Sequence, residues 1–329
     1  MDWKSYYSKE LQSPAGQEFI RRCFERYPQG DRKIAQILES GGIISFPHTS
    51  IYYAGEPIAR AVATLYQIGV ERITALGVLH GGTLPERYRG LYDEFLELTS
   101  SGEADDERAR ELFGAFKGAF IKAAPIKTPF GEIPLYPTKG LISDVIRENG
   151  GLLANEFSLN TLFSLLAFHA REGDLEPIPV LPLFIGLTRG PGGSFATASQ
   201  IAERLRETID GKTALVATGD LVHYGTAYSS PREMGGQPTD PAELEAFFAE
   251  RVRSALGRAC SGDYEAFYRA STEELKNDQR QIVPIICEYL GEGAGYELLQ
   301  FELSDYSRVL EVEPPCVVAS ALVGFTKEG

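Results

Sequence analysis

Three of the chain's four histidines stand just past short apolar runs. Ile43-Ile44-Ser45-Phe46-Pro47 leads to His48, and Ile73-Thr74-Ala75-Leu76-Gly77-Val78-Leu79 leads to His80. Ala214-Leu215-Val216-Ala217-Thr218 leads to Asp220 and His223. A neutral imidazole binds metal ions, and near neutral pH it also moves protons. Asp220, three residues before His223, is placed either to orient that ring or to cap the next turn through its own side chain. Open α/β sheets bind ligands in the crevice beyond the carboxyl ends of their strands. If the three runs are parallel neighbours, that crevice collects three imidazoles and a carboxylate, the raw material of a metal site or an acid–base site. The plain alternative is three unrelated polar residues ending three strands.

Other motifs carry less. Gly211-Lys212-Thr213 lacks the glycine that a phosphate-binding loop needs five residues earlier, where Arg206 stands. Gly192-Gly193-Ser194-Phe195-Ala196 is one residue short of a nucleophile elbow, and helix capping by Ser194 accounts for it better. His169 falls near the end of an amphipathic helix and reads as a helix-end histidine rather than a ligand.

The elements that must position these residues alternate between strand and helix, which favours one α/β domain. Residues 1–40 read as helical. A helix is expected over 55–67, with Pro57 in its first turn, completing a βαβ unit over 42–79. The stretch 83–125 is rich in Glu, Asp and Arg and reads as surface helices or an inserted lid. A helix is expected from Asn155 to His169. Ile178–Ile185 contains Pro179 and Pro182, which demote it to an edge or bulged strand. A loop over 229–241 rich in Pro and Gly precedes a long helix from Pro241, a shorter one over 263–270 and another over 281–290. Tyr296–Leu303 and Cys316–Phe325 read as closing strands. The fold class is therefore α/β, a mixed and mainly parallel central sheet flanked by helices.

Composition narrows the function classes. The net charge of −14 argues against a nucleic-acid groove or an anionic membrane surface. No apolar run approaches the length of a membrane span, and nothing after Met1 resembles a signal peptide. Cys23, Cys260, Cys287 and Cys316 are spread through the chain without a C-x-x-C pair, so a disulfide-free cytoplasmic protein is expected.

Taken together, the segments resemble the Memo family, which is similar in fold to the class III (LigB-type) extradiol dioxygenases. Phe46-Pro47-His48-Thr49-Ser50-Ile51-Tyr52-Tyr53-Ala54-Gly55 is like the family's "PHAGYxYSG", and Leu76–His80 like its "LGPxH". Thr128–Glu132 is similar to "TPLG", and Asn155–Asn160 falls where the family has "EHSIE". Gly219–Gly225 resembles "SDLSHYG", and Val317–Phe325 the closing "SYAAGAL" strand. The resemblance spans about residues 40–326 in the family's order.

It implies His48 and His80 as metal ligands, His223 and Asp220 as the acid–base pair, and Tyr53 and Tyr224 as residues lining the substrate. The family's cysteine ligand is replaced by Asn277 by residue count, and Phe157 and Asn160 replace a histidine and a glutamate of "EHSIE". Because the related dioxygenases use two histidines and a carboxylate, Asp278 becomes the expected third ligand, with Asn277 or Glu274 as alternatives. Fe(II) is the implied cofactor, with Cu or Zn as other occupants and no nucleotide. The implied reaction is extradiol-type oxygenation of a small oxygen-chelating, catechol-like substrate. The alternative is a Memo-like binding protein that uses the same cleft for a peptide or small ligand. Expected partners are a small-molecule substrate and O₂, with no nucleic acid or membrane; a homodimer stays open.

Overall fold

The chain opens with three helices, α1 (Trp3–Gln12), α2 (Pro14–Glu25) and α3 (Arg32–Glu39). Asp2, Ser13 and Asp31 cap them, each side chain accepting a first-turn N–H that has no helical partner. β1 (Ile43–Phe46), α4 (Ile51–Gln67), β2 (Arg72–Val78), α5 (Glu86–Ser100), α6 (Glu107–Phe116) and β3 (Ala119–Ile121) follow. A hairpin of β4 (Ile126–Thr128) and β5 (Gly131–Ile133) leads to β6 (Ile146–Glu148), α7 (Asn160–Glu172) and β7 (Val180–Ile185). Next come α8 (Ala196–Thr208), β8 (Thr213–Thr218), β9 (His223–Tyr224), α9 (Pro241–Cys260), α10 (Tyr264–Ala270) and α11 (Val283–Leu290). β10 (Ala294–Asp305), α12 (Ser307–Leu310) and β11 (Val317–Lys327) complete the chain. This computed structural model describes residues 2–100, 107–137, 140–228, 230, 238 and 240–327. Most of the loop expected over 229–241, and part of the charged stretch 83–125, lie outside the described residues.

The main sheet has the order β10-β11-β1-β8-β2-β7-β3-β6, with β9 added against β11. Its centre, β1, β8, β2 and β7, is parallel throughout. The three histidine-bearing runs are therefore parallel neighbours, and their carboxyl ends share one edge. Alternate residues face opposite layers. Ile44, Phe46, Ile73 and Ala75 pack into one apolar core with α2, α4 and α7. Ile43, Leu76 and Val78 pack into the other with α8, α9 and α11. The fold is thus the α/β class expected, a large mixed sheet between helical layers. Among the described residues no helix is long and apolar enough to cross a membrane. None of the four cysteines is in a disulfide, and the Cys260 and Cys287 sulfurs lie 3.9 Å apart.

Four elements differ from their sequence reading, each for a local reason. α4 begins at Ile51, four residues early, so Pro57 lies inside the helix. The Tyr53 carbonyl that Pro57 cannot bond accepts the Ser320 hydroxyl of β11 instead, at 2.9 Å. β7 is an interior strand, not an edge. Its Val180 N–H points away from β2 to the Pro134 carbonyl. By alternation Pro182 faces the same side, in the gap between the Leu135 bridge and the Phe120–Phe184 pair, where no ladder bond is lost. The charged stretch does form α5 and α6, but it ends in β3, a strand of the main sheet. The helix expected from Asn155 starts only at Asn160, because the Glu156 carboxylate takes the N–H groups of Phe157 and Ser158 and holds a turn there.

Candidate metal centre

At the carboxyl edge of β1, β8 and β2 the chain places four side chains around one carboxylate oxygen. Asp278 Oδ2 lies 3.3 Å from His48 Nε2, 3.7 Å from His80 Nε2 and 3.7 Å from His223 Nε2. Asp220 Oδ2 lies 3.8 Å from His223 Nε2 and 3.9 Å from His48 Nε2. Two groups of donors result, His48–His80–Asp278 and Asp220–His223–Asp278, each with its ligand atoms within 4.8 Å of one another. The cluster forms the floor of a cleft of about 800 Å³.

Each donor is held by its element. His48 leaves the end of β1, and its backbone N–H donates to Asp220 Oδ1 at 3.1 Å, which ties the first strand's loop to that of β8. His48 is 4 % exposed, and its Nδ1 is buried without a hydrogen-bond partner among the described residues. The ring is placed by edge contacts with His80 and Phe157 and by the carboxylates facing Nε2. His80 is held from behind. Its Nδ1 is 3.0 Å from Glu156 Oε1, while its backbone N–H and the Thr83 hydroxyl both donate to Glu156 Oε2 at 2.8 Å. Phe157 stacks on the ring at 5.0 Å and 5°, an apolar wall beside the imidazole. His223 begins β9, and its Nδ1 is 2.9 Å from the Lys276 carbonyl. A carbonyl only accepts, so in the neutral ring Nδ1 carries the proton and Nε2 offers a lone pair to the cleft.

Asp278 starts the 3-10 turn Asp278–Gln281, which Asn277 caps. Behind it, buried Gln279 accepts from the Ser45 hydroxyl at 2.8 Å and donates to the Gly219 carbonyl at 2.6 Å. That amide locks the Asp278 turn onto both β1 and the loop after β8.

Electrostatically the cluster is an anion-rich floor that favours positive charge beside His80, either a proton on the ring or a cation in its place. Burial opposes protonation of His80, but Glu156 and Asp278 outweigh it and push the imidazole up to about 10. Burial likewise works against an ionised Glu156, yet the charge and hydrogen bonds of His80 with the Ser158 N–H hold it at about 2. Asp278 is also penalised by burial, and His223, His48 and His80 nonetheless hold it well below the ordinary carboxylate range. Asp220 moves the other way, pushed up chiefly by burial.

The donor set fits a divalent cation. Bonds of about 2.1 Å put neighbouring ligand atoms about 3.0–3.5 Å apart. Asp278 Oδ2 stands 3.3 Å from His48 Nε2 and 3.7 Å from His80 Nε2, with all three donors within 4.8 Å of one another. Glu156 behind His80 is the carboxylate that commonly fixes a ligating imidazole through its other nitrogen.

No family model matches this chain, and no curated protein is similar to it. Among solved structures it is similar to the uncharacterized protein JW3007 from Escherichia coli K12. The alignment covers 86% of this chain and 98% of that one, at 12% identity and a TM-score of 0.43.

Of the residues singled out in the sequence, the structure brings His48, His80, Asp220, His223 and Asp278 together. Asn277 does not join them, because its amide oxygen accepts the Gln279 N–H at 2.6 Å and its nitrogen faces Ser271. Glu274 pairs with Arg251 instead. Tyr53 packs against Tyr306 outside the cleft, and Tyr224 packs on Phe248 in the core. Tyr228, 4.9 Å from the His223 ring, takes the lining position instead. Asp220 lies beyond hydrogen-bonding distance of His223, so the Lys276 carbonyl sets that tautomer. Ser194 stands outside the cleft with its hydroxyl accepting the Ala196 N–H. His169 is remote, stacked on Phe24. Three contributors were missed: Glu156, whose only signal was its place in the "EHSIE"-like stretch, and Trp3 and Tyr7 of α1, which line the cleft.

Proposed function

We propose that His48, His80 and Asp278 hold Fe(II), and that the protein is an extradiol-type oxygenase acting on a small vicinal diol with O₂. The observation that carries this reading is the single Asp278 oxygen within 3.7 Å of both imidazoles, on a buried floor backed by Glu156. Two imidazoles and one carboxylate on one face are the donor set of non-haem Fe(II) oxygenases, and the ion, when bound, supplies open positions at which diol and O₂ are activated. The chain's own residues do the rest. His223 accepts a diol proton at Nε2, since its Nδ1 proton is fixed on the Lys276 carbonyl. Asp220 braces the loop that carries His48 and adds negative charge beside His223. Phe157 beside His80 and Tyr228 beside His223 line the cleft and give a planar substrate apolar surface.

The test is metal content followed by turnover. Anaerobic reconstitution should leave about one Fe(II) per chain, and His48→Ala or Asp278→Ala should abolish that binding, whereas Asn277→Ala should spare it. O₂ consumption with a panel of catechols should then be lost about 10²–10⁴-fold in His223→Ala with metal retained. Wild-type protein that takes up no metal, or takes it up and consumes no diol, would sink the assignment. Loss of metal in His223→Ala would favour the second donor group, Asp220–His223–Asp278, as the binding set.

A further inference from the structure

Cys260 and Cys287 are 27 positions apart in the chain, yet their sulfurs lie 3.9 Å apart, with the Cys287 thiol donating to Cys260 Sγ. Cys260 is the last residue of α9 and is half-buried, while Cys287 lies in α11 and is 3 % exposed. Cys23 and Cys316 pack into two other apolar clusters, so the pairing is specific. Both paired residues line a surface cleft of about 460 Å³, where the ends of α9 and α11 meet the start of β10. A small oxidant fits there.

A disulfide needs its sulfurs about 2.05 Å apart, which leaves about 2 Å to close. α11 is held from its far side, because Arg206 of α8 donates to its Glu288 and Tyr289 carbonyls. The give lies at Cys260, where α9 ends and the chain turns through Ser261 and Gly262, the latter at φ +83°. Between the two cysteines run α10, a π-helical turn over Ser271–Leu275, left-handed Lys276 and the turn that begins with Asp278.

We propose that Cys260 and Cys287 are a redox modification site, at which a peroxide forms a reversible disulfide that clamps the segment carrying Asp278. The inference stands apart from the metal and diol readings. Cys260 Sγ attacks one peroxide oxygen and the O–O bond breaks, giving a sulfenic acid and one water. Cys287 Sγ then attacks the Cys260 sulfur, the S–O bond breaks, and the hydroxyl leaves with the Cys287 proton as a second water. The two thiols lose two electrons and two protons, and the peroxide takes up both. Cys287 follows rather than leads, because its hydrogen bond to Cys260 and its burial hold it well above the ordinary thiol range. A dithiol reductant reverses the bridge by exchange.

The test treats full-length protein, stripped of metal by a chelator, with a slight excess of hydrogen peroxide, followed by alkylation and peptide mapping by mass spectrometry. A peptide linked through Cys260 and Cys287 should appear, and dithiothreitol should remove it. In the oxidised protein amide exchange from α10 to the Asp278 turn should slow about tenfold or more, because a cross-link at both ends restricts the opened segment. Cys260→Ala should cancel both effects and Cys316→Ala neither. No linked peptide, a sulfinic acid at Cys260 in its place, or a linked peptide with unchanged exchange overturns the proposal. Should Cys260→Ala fail to fold, Cys260→Ser replaces it; loss of the slowed exchange supports the clamp, and slowed exchange without the bridge overturns it.

Discussion

Glu156 is the residue on which the cluster's geometry turns. Its two oxygens accept from three backbone N–H groups and the Thr83 hydroxyl while one also faces His80 Nδ1. Glu156→Gln keeps an oxygen for the backbone but removes the charge behind the imidazole. Metal affinity should fall about 10- to 100-fold, which a competition titration against a chelator measures. The Tm should fall as well, because the amide nitrogen then faces a backbone N–H that the carboxylate accepted. Unchanged affinity would mean that Glu156 only builds the turn. His169 offers a test at the opposite side of the same layer. Burial between Phe24 and Tyr66 lowers its affinity for a proton. The unfolded chain therefore binds that proton more readily, and the penalty is absent above the ordinary histidine value and grows as pH falls below it. His169→Phe should shrink the loss of urea stability between pH 7.5 and pH 5 relative to wild type; equal losses in the two proteins would dismiss the effect. His48, His80 and His223 were legible because each follows an apolar run of strand length. Glu156 was not, because its turn interrupts what otherwise has the periodicity of α7, and no pattern reveals a side chain that claims its neighbours' N–H groups.

At the scale of elements the site depends on a contact that involves no ligand. A Cβ added at Gly219 would stand 2.4 Å from Gln279 Cγ, so only glycine lets the loop after β8 reach the amide that locks the Asp278 turn. Gly219→Ala should displace that turn and weaken metal binding by at least tenfold while every donor is intact, with a destabilisation of about 1–3 kcal/mol from overpacking. Equilibrium denaturation and metal titration of the same preparation separate the two effects. Full metal affinity in this variant would show that the turn is positioned some other way. That β1, β2 and β8 end in polar residues is legible in the sequence; that β8 lies between β1 and β2 is not, because pairing of distant segments leaves no local signal. The role of α1 was hidden, because Trp3 and Tyr7 reach the cleft through long-range packing that local periodicity cannot express. Glu10 shows the same thing: from α1 it accepts from Ser50 and Ile51 at the start of α4, a cap supplied across 40 residues. Pro182 misled for the opposite reason, since its missing N–H falls in a gap of the ladder that only the assembled sheet contains.

For the molecule as a whole, a ligand that binds only the folded chain adds to its stability by mass action. Free metal at a hundredfold excess over its dissociation constant should contribute about 2.7 kcal/mol, seen as a rise in Tm that a chelator reverses and that Asp278→Ala abolishes. A Tm indifferent to added metal would leave the cluster as a buried network of charges alone. The sheet also has a consequence in time. β1 carries His48 early in the chain, yet its two neighbours are β8 (Thr213–Thr218) and β11 (Val317–Lys327), both made long after it. A ribosome making this protein therefore releases His48 and His80 long before Asp278, and the first strand lacks its second neighbour until the last has been made. A nascent chain has imidazoles but no pocket to arrange them, so metal loading belongs after synthesis, to the finished product.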